Sequence, residues 1–163
     1  MKHTISILVE NHAGVLARVA GLFARRGFNI DSLAVGVTED EKISRITIIA
    51  DGTAYTLEQI EKQLNKLIDV IKVRHLPAEE LLSRGLVLIK VACQPSQRAE
   101  LISLAEIAKA KISDITVNTM TLELSDSVPR IKTFEELLRP YGIKETVRTG
   151  SIAMQKGGAS MKL

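Results

Sequence analysis

The residues best placed to do chemistry lie early in the chain, in Asn11-His12-Ala13-Gly14-Val15-Leu16. Ile5, Ile7 and Val9 before them alternate as a strand does, and Val15, Leu16, Val19, Leu22 and Phe23 after them recur at helical spacing. The turn between strand and helix therefore presents a helix N-terminus, whose first N–H groups have no partner within the helix and favour an anion such as a carboxylate. Gly14 has no side chain to block approach. Asn11 can cap the helix or accept a hydrogen bond from an ammonium group through its amide oxygen. Leu8, Val15, Leu16, Ile30 and Val35 offer an aliphatic lining. A free aliphatic amino acid carries the carboxylate, ammonium and branched side chain that this set would accept. The same spacing also belongs to an ordinary helix start after a tight turn, and so short a pattern recurs by chance. The residues alone leave both readings open.

Other candidates have plainer explanations. His12 has no acidic partner or nucleophile within its local pattern and reads as an exposed loop histidine. His3, His12 and His75 show no ligand spacing, so no metal site is expected. Cys93 is the single cysteine, which excludes an internal disulfide, and it follows Val87-Leu88-Ile89-Lys90-Val91-Ala92 as a buried hydrophobe would.

The elements that must position the turn follow from periodicity. After the first helix, Gly27 supplies a left-handed cap, with Arg25 and Arg26 in the last turn where cations suit the helix dipole. Strands over 28–37 and around Ile46, Ile48 and Ala50 form a hairpin, a helix carries Leu57, Ile60, Leu64 and Leu67 on one stripe, and 70–76 is a short strand. The order is βαββαβ. Residues 77–85, charged and bounded by Pro77 and Gly85, read as a linker with a helical turn near 79–82. The order then restarts: a strand at 86–93, a helix capped by Ser96 and running to about Ala110, a hairpin of 112–117 and 119–124, a helix opened by Pro129 and closed before Pro140, and a last strand at 145–153. Gly157-Gly158 mark residues 154–163 as a flexible tail. The expectation is an α+β chain of two tandem ferredoxin-like βαββαβ domains, 1–76 and 86–153. The long apolar second strand falls at a sheet edge, where it invites pairing with a second copy in a homodimer.

Composition narrows the function. The chain has 163 residues, 45% of them hydrophobic, but aromatics are only 3%. Its cores must be aliphatic, and stacking of bases on exposed rings, which RNA-recognition domains of this element order need, has no residues to perform it. The 22 Lys and Arg against 19 Asp and Glu make a mixed-charge surface, with no nucleic-acid footprint. No apolar run reaches membrane-spanning length and no signal-peptide core precedes Ile5, so the expected location is cytoplasmic with no membrane partner.

The Asn11-x-x-Gly14-x-Leu16 pattern on the first turn of a βαββαβ unit resembles the ACT domain, a module that binds amino acids at dimer interfaces. The resemblance widens through Leu8-Val9-Glu10-Asn11, Gly14-Val15-Leu16-Ala17-Arg18-Val19, the run from Phe23 to Leu33, Ser44-Arg45-Ile46-Thr47 and the run from Glu58 to Leu64. Together these look like the regulatory (small) subunits of acetohydroxyacid synthase, or acetolactate synthase. The resemblance implies a chain without catalysis of its own, with no cofactor and no catalytic residue. It would activate a catalytic large subunit that uses thiamine diphosphate, Mg²⁺ and FAD to condense two pyruvates to acetolactate on the way to valine, leucine and isoleucine. It would also confer feedback inhibition by valine. By the same resemblance, Asn11, Ala13, Gly14, Val15 and Leu16 of one chain hold valine together with Asn29 and Ile30 of another. The polar helix face of Glu58, Gln59, Glu61, Lys62, Gln63 and Lys66 is a solvated face that could dock the catalytic subunit.

Two alternatives and one internal control accompany this reading. An acylphosphatase-like hydrolase would need an Arg in the strand-one loop and an Asn to place water, a part open to Asn29, but the loop has only His12. A transcription regulator would need a helix-turn-helix segment, which is absent. The second-half counterpart of the turn, Gln94-Pro95-Ser96-Gln97, lacks both a Gly and one N–H, so ligand binding is expected through the first half only.

Overall fold

The structure, a computed structural model, describes every residue from Met1 to Leu163. Two compact units divide it: Met1–Leu82 together with Ser151–Leu163, and Ser83–Gly150. The first contains β1 (Lys2–Glu10), α1 (Val15–Arg25), β2 (Ile30–Val37), β3 (Ile43–Asp51), α2 (Ala54–Leu64) and β4 (Val70–Leu76). Its antiparallel sheet has the order β2-β3-β1-β4. This is the expected α+β ferredoxin-like arrangement, with β2 at an edge. Alternation in β1 and β3 sends Ile5, Ile7, Val9, Ile46, Ile48 and Ala50 into one core with Val15, Val19, Leu22 and Phe23 of α1 and Ile60 and Leu64 of α2.

Gly27 closes α1 as its sequence position suggests. At φ +69° it lets its own N–H donate to the Ala24 carbonyl (3.2 Å) and the Phe28 N–H to the Phe23 carbonyl (3.0 Å). The Phe28 ring then packs edge-on to Phe23, the apolar contact that accompanies such a cap. Because Phe28 is spent on the cap, β2 starts at Ile30 and not at Phe28.

The second unit repeats the order with β5 (Leu81–Ala92), α3 (Arg98–Ala108), β6 (Lys111–Ile115), β7 (Thr119–Asp126), α4 (Val128–Leu138) and β8 (Ile143–Arg148). The strands run β6-β7-β5-β8. Val87, Ile89 and Val91 meet Met120, Leu122, Leu124, Leu101, Phe134 and Leu138 in its core, which also holds Cys93. Ser96 does not cap α3. It lies in a 3-10 turn, Pro95–Gln97, where the Gln94 N–H donates to the Gln97 side chain (3.1 Å).

Three further boundaries differ from the sequence expectation. Residues 77–85, where one unit gives way to the next, hold the expected helical turn as a 3-10 segment, Ala78–Glu80, but β5 starts already at Leu81 and not at Leu86. The expected strand at 145–153 splits into β8 and a separate β9 (Ile152–Gln155), and β9 belongs to the first unit. Residues 154–163 are not a loose tail. β4 supplies the cations that hold them: Lys72 Nζ donates to the Lys162 carbonyl (2.7 Å) and Arg74 to that of Ser160 (3.2 Å).

That C-terminal return covers the sheet face opposite the helices. Arg45 donates to the Ala153 carbonyl (2.7 Å), the Ser151 N–H donates to Ser32 Oγ (2.8 Å), and Met161 and Leu163 line a cleft of about 290 Å³ with Leu8 and Ile43. Thr4, Ser6, Leu8 and Thr47, which point away from the helices, are buried, and Leu8 meets Met161 and Leu163 across that cleft. No helix is long and apolar enough to cross a membrane. A chain ended at Gly150 is expected to exchange its β1 and β3 amides faster while β7 keeps its protection. Unchanged exchange in β1 and β3 would show that the C-terminal return adds nothing to the first unit.

Candidate functional site

The turn of residues 11–16 is fixed at both sides where β1 ends. The Glu10 N–H donates to the Asp69 carbonyl (2.9 Å) and the Asn11 N–H to the Lys42 carbonyl (2.8 Å). The Asn11 side chain donates from Nδ2 to the Glu41 carbonyl (2.7 Å), so it staples the β2–β3 loop and does not cap α1. Its Oδ1 stays available as an acceptor. The N-cap is Gly14, at φ +88° and without any side-chain cap. That conformation is strained for residues with a Cβ, and a Cβ there would sit 3.3 Å from Arg18 Nη1. The first hydrogen bond into α1 runs from the Arg18 N–H to the Gly14 carbonyl (3.0 Å), which leaves the N–H groups of Val15, Leu16 and Ala17 without a main-chain acceptor. Val15 is buried and anchors the helix, while Ala13, Gly14 and Leu16 are exposed.

Beside the turn lies a charged cluster that the sequence does not announce. Asp69, 5% exposed, receives the Arg18 Nε–H on Oδ2 (2.5 Å). His12 Nε2 is 3.0 Å from Asp69 Oδ1 and 3.2 Å from Glu10 Oε2, and Nδ1 is 3.2 Å from the Ala13 carbonyl. The Ala13 carbonyl and then Glu10 hold the imidazole above its ordinary pKa range. The expectation that His12 has no acidic partner is therefore corrected. Glu10 lies two residues away, but the buried partner sits on the approach to β4, which only the tertiary fold brings near.

Asn29 and Ile30 are not brought to the turn within one chain. Ile30 pairs with Ala50, which pairs with His3, whereas the turn comes after Glu10, opposite Ile43. Seven residues of strand separate those levels, about 23 Å. The hydrolase alternative fails on this point, because Asn29 cannot place a water at the strand-one loop.

Comparison with known proteins is specific. Residues 5–72 match the family described as an AHAS small subunit-like ACT domain, and residues 84–157 the family described as the small subunit of acetolactate synthase. The chain belongs to the acetolactate synthase small subunit family. It is 49% identical to the probable acetolactate synthase small subunit of Archaeoglobus fulgidus over 96% of this chain and 98% of that one. Its identity to the acetolactate synthase small subunit of Mycobacterium leprae is 44%, over 95% and 92% of the two chains. The crystal structure of the acetolactate synthase small subunit from Thermotoga maritima superposes with a TM-score of 0.91 at 38% identity, covering 98% of this chain and 99% of that one.

Within this chain the second half has no equivalent of the turn. Pro95 lacks an N–H, and the segment from Gln94 to Gln97 contains no left-handed glycine. What sequence reasoning missed is the pair of Arg18 and Asp69. The Arg18 signal was present, four residues after Gly14 and one turn up the same helix, but nothing near it in the chain marks Asp69 as its partner. Two variants test this local construction. Gly14→Ala is expected to cost about 1–2 kcal/mol through the left-handed backbone. Arg18→Ala is expected to cost about 2 kcal/mol by leaving the buried Asp69 carboxylate undercompensated. Urea denaturation checks both, and a loss under a few tenths of a kcal/mol in either would contradict the reading.

Proposed function

We propose that this chain is the non-catalytic regulatory subunit of acetolactate synthase, that it senses valine at the turn of residues 11–16, and that it passes the signal to a catalytic large subunit. The observation that carries the reading is the uncapped N-terminus of α1 under a left-handed Gly14. Three free N–H groups suit the ligand carboxylate, Asn11 Oδ1 suits its ammonium, and Leu16, 42% exposed, suits its isopropyl group. Asn11, Ala13, Gly14, Val15 and Leu16 form one half of the site, and Asn29 and Ile30 of a second copy form the other.

The free edge of β2 supports the second half. Antiparallel pairing of two copies of β2, centred between Leu33 and Ala34, sets Ile30 of the partner subunit opposite Val37. Val37 is level with Ser44 and Val9, immediately before the turn. The twofold axis thus joins residues that one chain holds apart. It also buries Val35 and Val37, which are 47% and 62% exposed in the single chain. Such pairing removes the hazard of an open edge strand.

In this reading thiamine diphosphate, Mg²⁺ and FAD belong to the catalytic subunit, which condenses two pyruvates to acetolactate in branched-chain amino acid synthesis. The polar face of α2, with Gln59 and Gln63, is a candidate surface for meeting it. Valine ties two first units together and favours a partner-bound state of low activity. Typical coupling of about 1–3 kcal/mol would change activity roughly 5- to 150-fold.

Reconstitution with a thiamine-dependent acetolactate synthase large subunit is the direct test: the chain should raise activity and valine should lower it. Gly14→Asp, which puts a carboxylate where the ligand's carboxylate sits, should abolish the valine effect and leave activation. Full valine inhibition of that variant would place the site elsewhere. Sedimentation of the chain alone should give a dimer at micromolar concentration, and a monomer would refute the shared site.

A further inference from the structure

The cluster beside the turn brings one imidazole nitrogen and two carboxylate oxygens together, drawn from both sides of β1. His12 Nδ1 faces the Ala13 carbonyl, which can only accept, so the ring proton of the neutral tautomer belongs on Nδ1. Nε2 then turns a lone pair toward two carboxylate oxygens, Asp69 Oδ1 and Glu10 Oε2, at 3.0 and 3.2 Å. In that tautomer three electron-pair donors lie within 4.8 Å of one another.

We propose that Glu10 Oε2, His12 Nε2 and Asp69 Oδ1 form a site for a divalent transition-metal ion of the zinc or manganese kind. Bonds of about 2.0–2.2 Å to such an ion put neighbouring ligand atoms about 2.9 Å apart in an octahedron and about 3.4 Å apart in a tetrahedron. The two separations from Nε2 fall in that interval, and all three ligand atoms lie within 4.8 Å of one another. One imidazole with two carboxylates is a ligand set these metals accept, with the remaining positions open to water. Glu10 and His12 are about half exposed, so those positions face solvent. The outer contacts of a metal site are also present: Arg18 Nε orients Asp69 through the other oxygen, Oδ2, and the Ala13 carbonyl orients the imidazole. Because His12 and Ala13 belong to the turn, ligation ties that turn to β4. Its effect on valine rests on the proposed sensing role of the turn, whereas metal binding itself does not.

The test uses the full chain, freed of metal with a chelator, and Zn²⁺ or Co²⁺ alone. Calorimetry with Zn²⁺ and visible absorption with Co²⁺ should each report one site per chain. His12→Ala and Glu10→Gln, both at exposed positions, should weaken binding by about tenfold or more while thermal unfolding shows them folded. Equal binding by wild type and both variants would overturn the proposal. So would a His12 Nε2 that nitrogen-15 spectra find protonated in excess Zn²⁺, since the cluster would then share only a proton. Valine calorimetry on the metal-free chain is a separate measurement, so failure of the amino-acid site and failure of the metal site are told apart.

Discussion

The first unit depends on the burial of β1 on both faces. From Thr4 to Val9 every residue of this strand is buried, although a two-layer α/β unit covers only one face of its sheet. Ile5, Ile7 and Val9 meet the helices, and their neighbours Thr4, Ser6 and Leu8 need a second cover. The C-terminal return supplies it, held by cations of β3 and β4 that donate to its carbonyls. A central strand so enclosed has little freedom at its end. The turn after it is placed by the sheet, with Glu10 and Asn11 bonded to the chain on either side.

Such anchoring explains why the turn can lack a side-chain cap. An uncapped helix start costs stability of the order of 1 kcal/mol. Here the start of α1 is held from outside, by Val15 in the core and by the Arg18–Asp69 pair that ties α1 to the approach to β4. The N–H groups stay unpaired because neighbouring elements, and not a cap, keep the helix in place. The second unit has the same element order but fills the corresponding turn with a 3-10 segment opened by proline. Shared architecture does not imply shared binding, since the chemistry lies in the turn.

The α+β class, the repeated element order, the edge position of β2, the cap at Gly27 and the turn itself were all legible in the sequence. Each depends on residues close together in the chain: alternation in β1, helical spacing after Gly14, a glycine at the end of α1. The failures have a different origin. Residues 77–85 carry Pro, Gly and charge, which are loop signals, yet from Leu81 on they belong to β5, because strands elsewhere in the chain complete the pairing. Residues 154–163 have the composition of a free tail and are held only by contacts with residues far back in the chain.

Local periodicity and glycine placement therefore determined the elements and the location of the candidate site, because hydrophobic alternation and backbone sterics act over a few residues. Only the tertiary structure decided what surrounds that site. Asp69 becomes the partner of both Arg18 and His12 through β1–β4 pairing, Asn11 is drawn to the β2–β3 loop, and Asn29 and Ile30 are carried to the far end of the sheet by strand register. Contacts of that kind depend on which distant segments the sheet brings side by side, and no spacing along the chain encodes them.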